Sequence, residues 1–497
     1  MFRFRYAFRS LRLPSYVWIA LLFLLIYSSL SLVNHFNFRT FAHDLGIRNN
    51  AMFDYMQGRW NETTLMFPDK VFGNILGDHF CLLPVLVSPF QFLFGSYTLL
   101  IFQIMSMVWG GIGIFFLARN WFQSDKIAAW AQVHFYSLWG IFSALSFDYH
   151  DNVIAAMLVP WLFYHFSKKE YPAAWIYLAL IWISKENMAL WSIFLSMGLG
   201  FQFWRDASQR KMAAWFSVAS VFVFLLIMKV LMPWAADGQA YQHNHYQVLD
   251  GGILHLIKDA LANPDKYFAL LFEAPAGGQY AHAAGIKSEL HFFLLLSGGV
   301  FFFFKPAILW MALPILGQKL LNNDPVKWGV LYHYSIELVP LISLALFLSL
   351  KDFQFKKFFR PLFIGFLISS FYVTIHLLDS PTRSQYYHSS HIRFYYGPHW
   401  ERQLDVRQVQ KDLKQVPVDA VVSAHNVLAN RLAFRDSIYL FPFYNEQTDY
   451  LVLLTRPIDT YPLKKEAYEE KLATLRASSD WEIDFESEDL IFFKRRN

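Results

Sequence analysis

The sequence predicts a mainly α-helical, polytopic membrane bundle followed by a small α/β domain. Three observations lead there. The chain of 497 residues is 55% hydrophobic and only 16% charged, whereas an average soluble domain is roughly 25% charged. The deficit is uneven: residues 381–497 hold 33 charged side chains in 117 positions, and residues 1–380 hold 48. Apolar stretches of bilayer-crossing length, roughly 17–25 residues, recur in the first part and stop before the second. So few charges cannot cover a soluble protein of this size. Disorder needs the opposite composition. The net charge of +5 is dispersed, unlike the concentrated basic face of a nucleic-acid binder. Cys81 is the single cysteine, which excludes an internal disulfide and a cysteine-based metal cluster.

About eleven crossings are expected, near 16–33, 97–118, 127–145, 153–167, 172–184, 187–204, 213–232, 290–304, 306–321, 335–350 and 361–378. The segment 81–94 contains Pro84 and Pro89. It is too short and too interrupted for a crossing, and reads as a re-entrant or interfacial lead-in. Residues 1–380 form the expected membrane domain, with outer loops at 34–96 and 233–289. Residues 381–497 form the expected outer domain.

Loop charge sets the orientation. One set of loops carries Arg3, Arg5, Arg9, Arg12, Arg119, Lys126, Lys168, Lys169, Arg205, Arg210, Lys211, Lys305, Lys351, Lys356, Lys357 and Arg360, against Asp125, Glu170, Asp206 and Asp352. The remainder of residues 1–380 is acidic on balance. The basic set is therefore expected in the cytoplasm, with the amino terminus. An odd number of crossings places the carboxy-terminal domain outside a cytoplasmic (inner) membrane. The first apolar stretch follows four arginines without a small-residue cleavage site, and reads as an uncleaved signal anchor. Basic loops at Lys168-Lys169 and Arg205–Lys211 require an even number of crossings between them. Two short helices broken at Lys185-Glu186-Asn187 satisfy this and place the break in an outward cavity.

Polar residues at membrane depth are costly and tend to be functional. Four outward clusters stand out. The first is His43-Asp44, within a stretch that suits a short interfacial helix. Asp44 there is either a general base for a substrate hydroxyl or the N-cap of the following helix. The second is Gly77-Asp78-His79. The third is the turn Asp148-Tyr149-His150-Asp151-Asn152. Asp148, His150 and Asp151 could share a divalent cation, with Mg²⁺ or Mn²⁺ suited to hard oxygen ligands, or could cap the next helix. The fourth is Lys185-Glu186-Asn187 with His333 and Tyr334. Lys185 suits a lipid phosphate as a point charge, or forms a self-neutralising pair with Glu186. The loop 233–289 adds His243, His245 and Asp250 and reads as irregular, with short interfacial helices.

In the tail, residues 405–414 read as a helix. AVVSAHN, SIYLFP and YLVLLTR read as strands, 464–477 as an amphipathic helix, and EIDFES with LIFFKRR as a closing hairpin. No dinucleotide fingerprint, P-loop or nucleophile elbow occurs, so the tail reads as a recognition or lid element, or as a structural cap over the membrane part, rather than the seat of chemistry.

The ordered motifs HDLGIRNNAMFDYMQG, LGDHF, FDYHDNVIAAMLVPW, SKENMAL, PAILWMALPIL and YHYS resemble a family of bacterial and archaeal predicted membrane proteins, domain of unknown function 2079. VDAVVSAHNVLANRLAFRDSIYLFP is similar to its carboxy-terminal region. The chain departs from the family in having His43 before Asp44, and Asn49-Asn50 where an acidic residue and Gln are common. The layout also resembles the GT-C class of integral-membrane glycosyltransferases. That resemblance implies sugar transfer from a polyprenyl-phosphate-linked donor on the outer face. Asp44 would be the base, with Lys185 and His333 at the carrier phosphate. His43, Asp78, His79, Asp148, His150, Asp151 and Glu186 are the other expected substrate contacts. Two other classes fit the same frame. One is a transporter or flippase of a lipid-linked or polar solute, and the other is a non-enzymatic envelope protein.

Overall fold

The computed structural model describes residues 13–60, 63–65, 74–239, 241, 243, 246–275, 278–352, 359–379 and 389–496. Arg3, Arg5, Arg9, Arg12, His245, Lys356 and Lys357 lie outside the described residues. The first helix, α1 (Ser15–Phe36), is an unbroken apolar run. Ala20, Phe23, Tyr27 and Leu30 recur at helical spacing and are buried, while Trp18, Leu22 and Leu25 stay exposed. One stripe therefore meets the bundle and the rest suits lipid.

After a π-helical turn at Ala42–Gly46 comes α2 (Ile47–Met56). The Pro-interrupted segment then forms short helical turns that run into α3 (Thr98–Phe122). Pro84 and Pro89 stand in the first positions of their turns, where a missing N–H breaks no helical bond. What reads as a separate lead-in is thus continuous with the crossing. Next come α4 (Asp125–Ser137), α5 (Trp139–Leu145), α6 (Asp151–Ser167), α7 (Tyr171–Trp182), α8 (Glu186–Gln202) and α9 (Ala207–Leu226). The long loop holds α10 (Gly252–Ala262) and α11 (Pro264–Phe272). The bundle closes with α12 (Ile286–Leu296), α13 (Pro306–Leu320), α14 (Leu338–Asp352) and α15 (Phe359–Asp379).

The expected count of eleven crossings is not reached by length. Among the described residues, four helical runs are long and apolar enough to cross a bilayer: Ser15–Phe36, Leu83–Phe122, Ala207–Ala235 and Pro361–Asp379. Each other expected crossing holds shorter helices. The segment 127–145 breaks at Leu138, and α7 has 12 residues. Such a helix rises about 18 Å, against a hydrocarbon core of about 30 Å. The physical reason is burial. α6 is almost wholly covered by neighbouring helices, so its apolar character reflects protein contacts rather than bilayer thickness. Glycines on α3 permit that closeness. A Cβ at Gly110 would lie 3.0 Å from the Met157 carbonyl oxygen, and one at Gly111 would fall inside the Tyr136 ring. The break between α7 and α8 falls at residues 183–185, close to where the charge pattern places it.

The tail contains α16 (Val406–Asp412), β1 (Val422–Ala424), α17 (Asn426–Leu432), β2 (Ile438–Leu440), β3 (Tyr450–Leu454), α18 (Lys465–Arg476), β4 (Trp481–Glu486) and β5 (Leu490–Arg495). The sheet order is β2-β1-β3-β5-β4. β1 runs parallel to both its neighbours, and β5 runs antiparallel to both of its own. Leu451 and Leu453 of β3 point to α18, while Val452 and Leu454 point the other way. That second face shares a core with Phe38, Ala42, Ile47, Ala51 and Leu76 from the segment between α1 and α3. A strand buried on both faces reads as an uninterrupted apolar run, which is why YLVLL is legible as one.

Helix α17 forms the seam, and the strand-based reading of the tail does not anticipate it. Asn426 Oδ1 accepts from the Ala42 amide at 3.1 Å, and Asn430 Nδ2 donates to Thr40 Oγ1 at 2.7 Å. Asn50 Nδ2 donates to the Ala433 and Arg435 carbonyls, each at 2.9 Å. The half-buried Arg431 donates to the His35 carbonyl at 2.6 Å and to Ser96 Oγ at 3.1 Å. α2 is therefore held by protein against the tail rather than lying on a lipid surface. Arg431→Ala should destabilise the chain by roughly 1.5–3 kcal/mol, since hydrogen bonds from a charged donor across the seam are lost. Thermal unfolding in detergent, with limited proteolysis of the tail, measures this. An unchanged melting temperature and cleavage pattern would remove Arg431 as the anchor.

Candidate functional site

Asp44 lies inside the π-helical turn and does not cap it; the Ala42 amide at the start of the turn donates to Asn426 Oδ1 instead. The Asp44 carboxylate is freed for another partner. Oδ1 sits 3.3 Å from His150 Nε2, with the Asp44 side chain 32% exposed and the His150 ring nearly covered. His150 precedes α6, held by its backbone amide donating to Gln103 Oε1 at 2.9 Å. The His150 ring stacks on His333 at 3.5 Å between centroids, and Phe147 stacks behind it at 5.0 Å. Burial pushes the Asp44 carboxyl up, but His150, Arg48 and His43 outweigh it and hold it at about 2. Burial pushes His150 and His333 down. An ionised carboxylate thus faces a pair of neutral imidazoles.

The turn at 148–152 anchors this arrangement. Asp151 Oδ2 accepts from Arg48 Nε at 2.8 Å, and Asp151 Oδ1 accepts from the Tyr149 hydroxyl at 2.8 Å. Asp148 Oδ2 accepts from the Phe41 amide at 2.7 Å. Asn152 Nδ2 donates to Glu337 Oε1 at 2.8 Å. The carboxylates expected to share a cation with His150 are therefore committed to different partners. His43 packs edge-on against Tyr461 at 5.5 Å, so the tail reaches the site.

A second group lies around Asp78 and His79. His79 Nδ1 meets Glu186 Oε1 at 2.9 Å, and Glu186 Oε2 accepts from the Phe80 amide at 3.1 Å. The Tyr241 hydroxyl donates to Glu186 Oε1 at 3.0 Å. His243 Nε2 meets Asp78 Oδ1 at 2.8 Å, and the His79 and His243 rings stack at 4.1 Å. Burial pushes the Asp78 carboxyl up, but His79, His243 and Lys185 hold it below the ordinary range. Burial and then Lys185 lower His79 to about 4. Glu186 is thus bound to His79 and Tyr241, and does not neutralise Lys185 by direct contact.

Lys185 stands at the N-cap position of α8, half-buried. Its carbonyl accepts from the Met188 and Ala189 amides, but among the described residues its ammonium forms no hydrogen bond and no ion pair. Its charge acts on Asp78, His79, Glu186, His150 and His333. Lys185 therefore links the two groups. Asp44, Asp78, His79, His150, Lys185, Glu186 and His333 form one electrostatically connected set. Asp148 and Asp151 support it from behind. His333 Nδ1 is buried without a hydrogen-bond partner among the described residues. A cation at a helix N-terminus beside imidazoles is an arrangement that takes an anion.

Sequence reasoning did not single out His243, Tyr241, Arg48 or Glu337 as site residues. The run YQHNHYQ, rich in His and Tyr within an otherwise irregular loop, carried the only signal for the first two.

No curated protein matches the chain. Among solved structures it is similar to ArnT from Cupriavidus metallidurans bound to undecaprenyl phosphate. The TM-score is 0.47 and the identity 12%, over 96% of this chain and 97% of that one. The apo state of the same protein aligns with the same score and identity, over 96% of each chain. The family described as "Predicted membrane protein (DUF2079)" matches residues 34–492. With the match spanning nearly the whole described bundle and tail, the chain belongs to this family of membrane proteins.

Proposed function

We propose that the chain is an integral-membrane glycosyltransferase. It moves a sugar from a polyprenyl-phosphate-linked donor to an acceptor on the outer face of the cytoplasmic membrane. One observation carries the reading. The charge of Lys185, which has no ion-pair partner among the described residues, acts on His150 and His333 on one side and on Asp78, His79 and Glu186 on the other. A site that pairs its acids but leaves a cation over suits an anionic substrate group. In this reading the bundle crosses the membrane an odd number of times, with the amino terminus inside. The basic loops then face the cytoplasm and the acidic site faces out. Residues 381–497 form the outer domain.

The acceptor hydroxyl binds at Asp44 and attacks the anomeric carbon. The bond from acceptor oxygen to that carbon forms as the bond from carbon to phosphate oxygen breaks. The hydroxyl proton passes to Asp44, and the phosphate leaves with its charge beside Lys185 and His333. A carboxylate held at about 2 is a weak base, so the proton moves late, once bonding to carbon has made the hydroxyl acidic. The ionised carboxylate also offsets positive charge growing at the anomeric carbon.

Three outcomes follow. Asp44→Asn should lower transfer by about 10²–10⁴-fold while leaving the protein in the membrane. Lipid-linked sugars from cells lacking the chain, complemented with wild type or the variant, provide the readout. Full complementation by Asp44→Asn sinks the base assignment. Lys185→Gln should weaken donor binding, raising KM more than it lowers kcat, as measured in membrane preparations. An unchanged KM would remove Lys185 from the phosphate. Because Asp44 is ionised far below neutrality, it should contribute no acid limb to kcat/KM above about pH 5. An acid limb near pH 6 that vanishes in Asp44→Asn would contradict the low value.

A further inference from the structure

Asp78, His79 and His243 come from two distant loops, 165 residues apart for the first and last. Among the described residues, one potential ligand atom from each lies within 4.8 Å of the other two. We propose that this trio binds a single Zn²⁺ ion. Two imidazoles and one carboxylate form a donor set of borderline softness, which favours zinc over the oxygen-seeking Mg²⁺. Three protein ligands leave a fourth position open.

The surroundings are those of a built site. Glu186 holds His79 Nδ1 at 2.9 Å, which leaves Nε2 as the ligand atom and fixes the ring. A carboxylate on the far nitrogen of a ligating histidine is the usual supporting contact of a zinc site. Glu186 is itself held by the Tyr241 hydroxyl at 3.0 Å and the Phe80 amide at 3.1 Å. Asp78 and Glu186 place two carboxylates on the histidines of the trio, and a divalent cation offsets them without engaging Lys185.

The geometry needs a small adjustment. Zinc bond lengths of about 2.0–2.2 Å place tetrahedral ligand atoms about 3.4 Å apart. The trio must contract by less than about 1.5 Å at its widest, while the hydrogen bond of 2.8 Å between Asp78 Oδ1 and His243 Nε2 must open. The two rings, stacked at 4.1 Å and 16°, must splay so that both lone pairs meet the ion. His243 can supply that movement because it sits in the long loop rather than on a helix. Metal binding stands independently of the transfer reading. The ion's use as a second charge partner for the leaving phosphate rests on that reading.

The test uses the full chain in detergent, stripped with chelator and titrated with Zn²⁺ against a chromophoric competitor. One equivalent should bind without any substrate present. Co²⁺ in its place should give the visible bands of a tetrahedral ion. Asp78→Asn and His243→Ala should each lower the affinity at least tenfold, and Glu186→Gln by about 10–100-fold. Size-exclusion and thermal unfolding establish that the variants fold. Should Asp78→Asn fail to fold, His243→Ala in the loop decides alone. Absence of stoichiometric zinc, or the same affinity in the folded variants, overturns the site whether or not sugar transfer is observed.

Discussion

The buried ion pair between Arg48 and Asp151 is the constraint on which the site depends. The Arg48 side chain is 6% exposed and that of Asp151 fully buried, with 2.8 Å between them. It ties the segment that follows α1 to the start of α6. Asp44 lies one helical turn before Arg48, and His150 lies next to Asp151. The same pair therefore sets the distance between the carboxylate and the imidazole. Removing one partner of such a pair costs roughly 3–5 kcal/mol, because the other is left as an uncompensated buried charge. Tyr149 completes the arrangement by donating to the second Asp151 oxygen. The tail adds the outer clamp. Asn426 and Asn430 hold the backbone and side chain of residues 40–42 from above. The π-helical turn that aims Asp44 is thus fixed from both sides.

Much of the fold was legible because two signals are strong. Long apolar runs free of charge mark α1, α3, α9 and α15. The alternation of turn residues with Val, Ile, Leu and Tyr marks the five strands. The short interior helices were harder. Composition records that Val153–Phe163 are apolar, but a helix wrapped in other helices is apolar for the same reason as one wrapped in lipid. Length alone separates the two, and charge punctuation reports it coarsely. α2 shows the converse problem. Its mixed apolar and polar pattern suits a membrane surface, yet the polar residues Asn49 and Asn50 bond to tail carbonyls. Periodicity says that a face is covered without saying by what.

The site was legible in part for a related reason. Asp44, Asp78, His150 and Lys185 stand out because they interrupt apolar context, and the cost of placing them there marks them. His243 has no such contrast, since its loop is polar already. Its pairing with Asp78 is made across 165 residues and has no local signature. Asn49 and Asn50, which differ from the common pattern of the family, show how a departure can reflect packing. Both serve as donors to the segment that follows α17 or to its end. α17 itself is short, seven residues between two strands, so too few turns exist for a period to emerge.

The charge deficit of the sequence acquires a local meaning in the folded chain. Acids in the site are matched one by one: Asp44 with His150, Asp151 with Arg48, Asp78 with His243, Glu186 with His79. These pairings consume the carboxylates that could have quenched Lys185. Glu186 is adjacent in sequence, but α8 begins between them. Lys185 is extended at the N-cap position with φ −167°, while Glu186 turns into the helix toward His79. The helix break thus separates two opposite charges that neighbouring positions would otherwise bring together. A continuous helix through 183–186 would remove that separation and bury Lys185 among apolar side chains. Breaking the helix instead leaves the ammonium half-exposed, with its charge felt by both histidine groups.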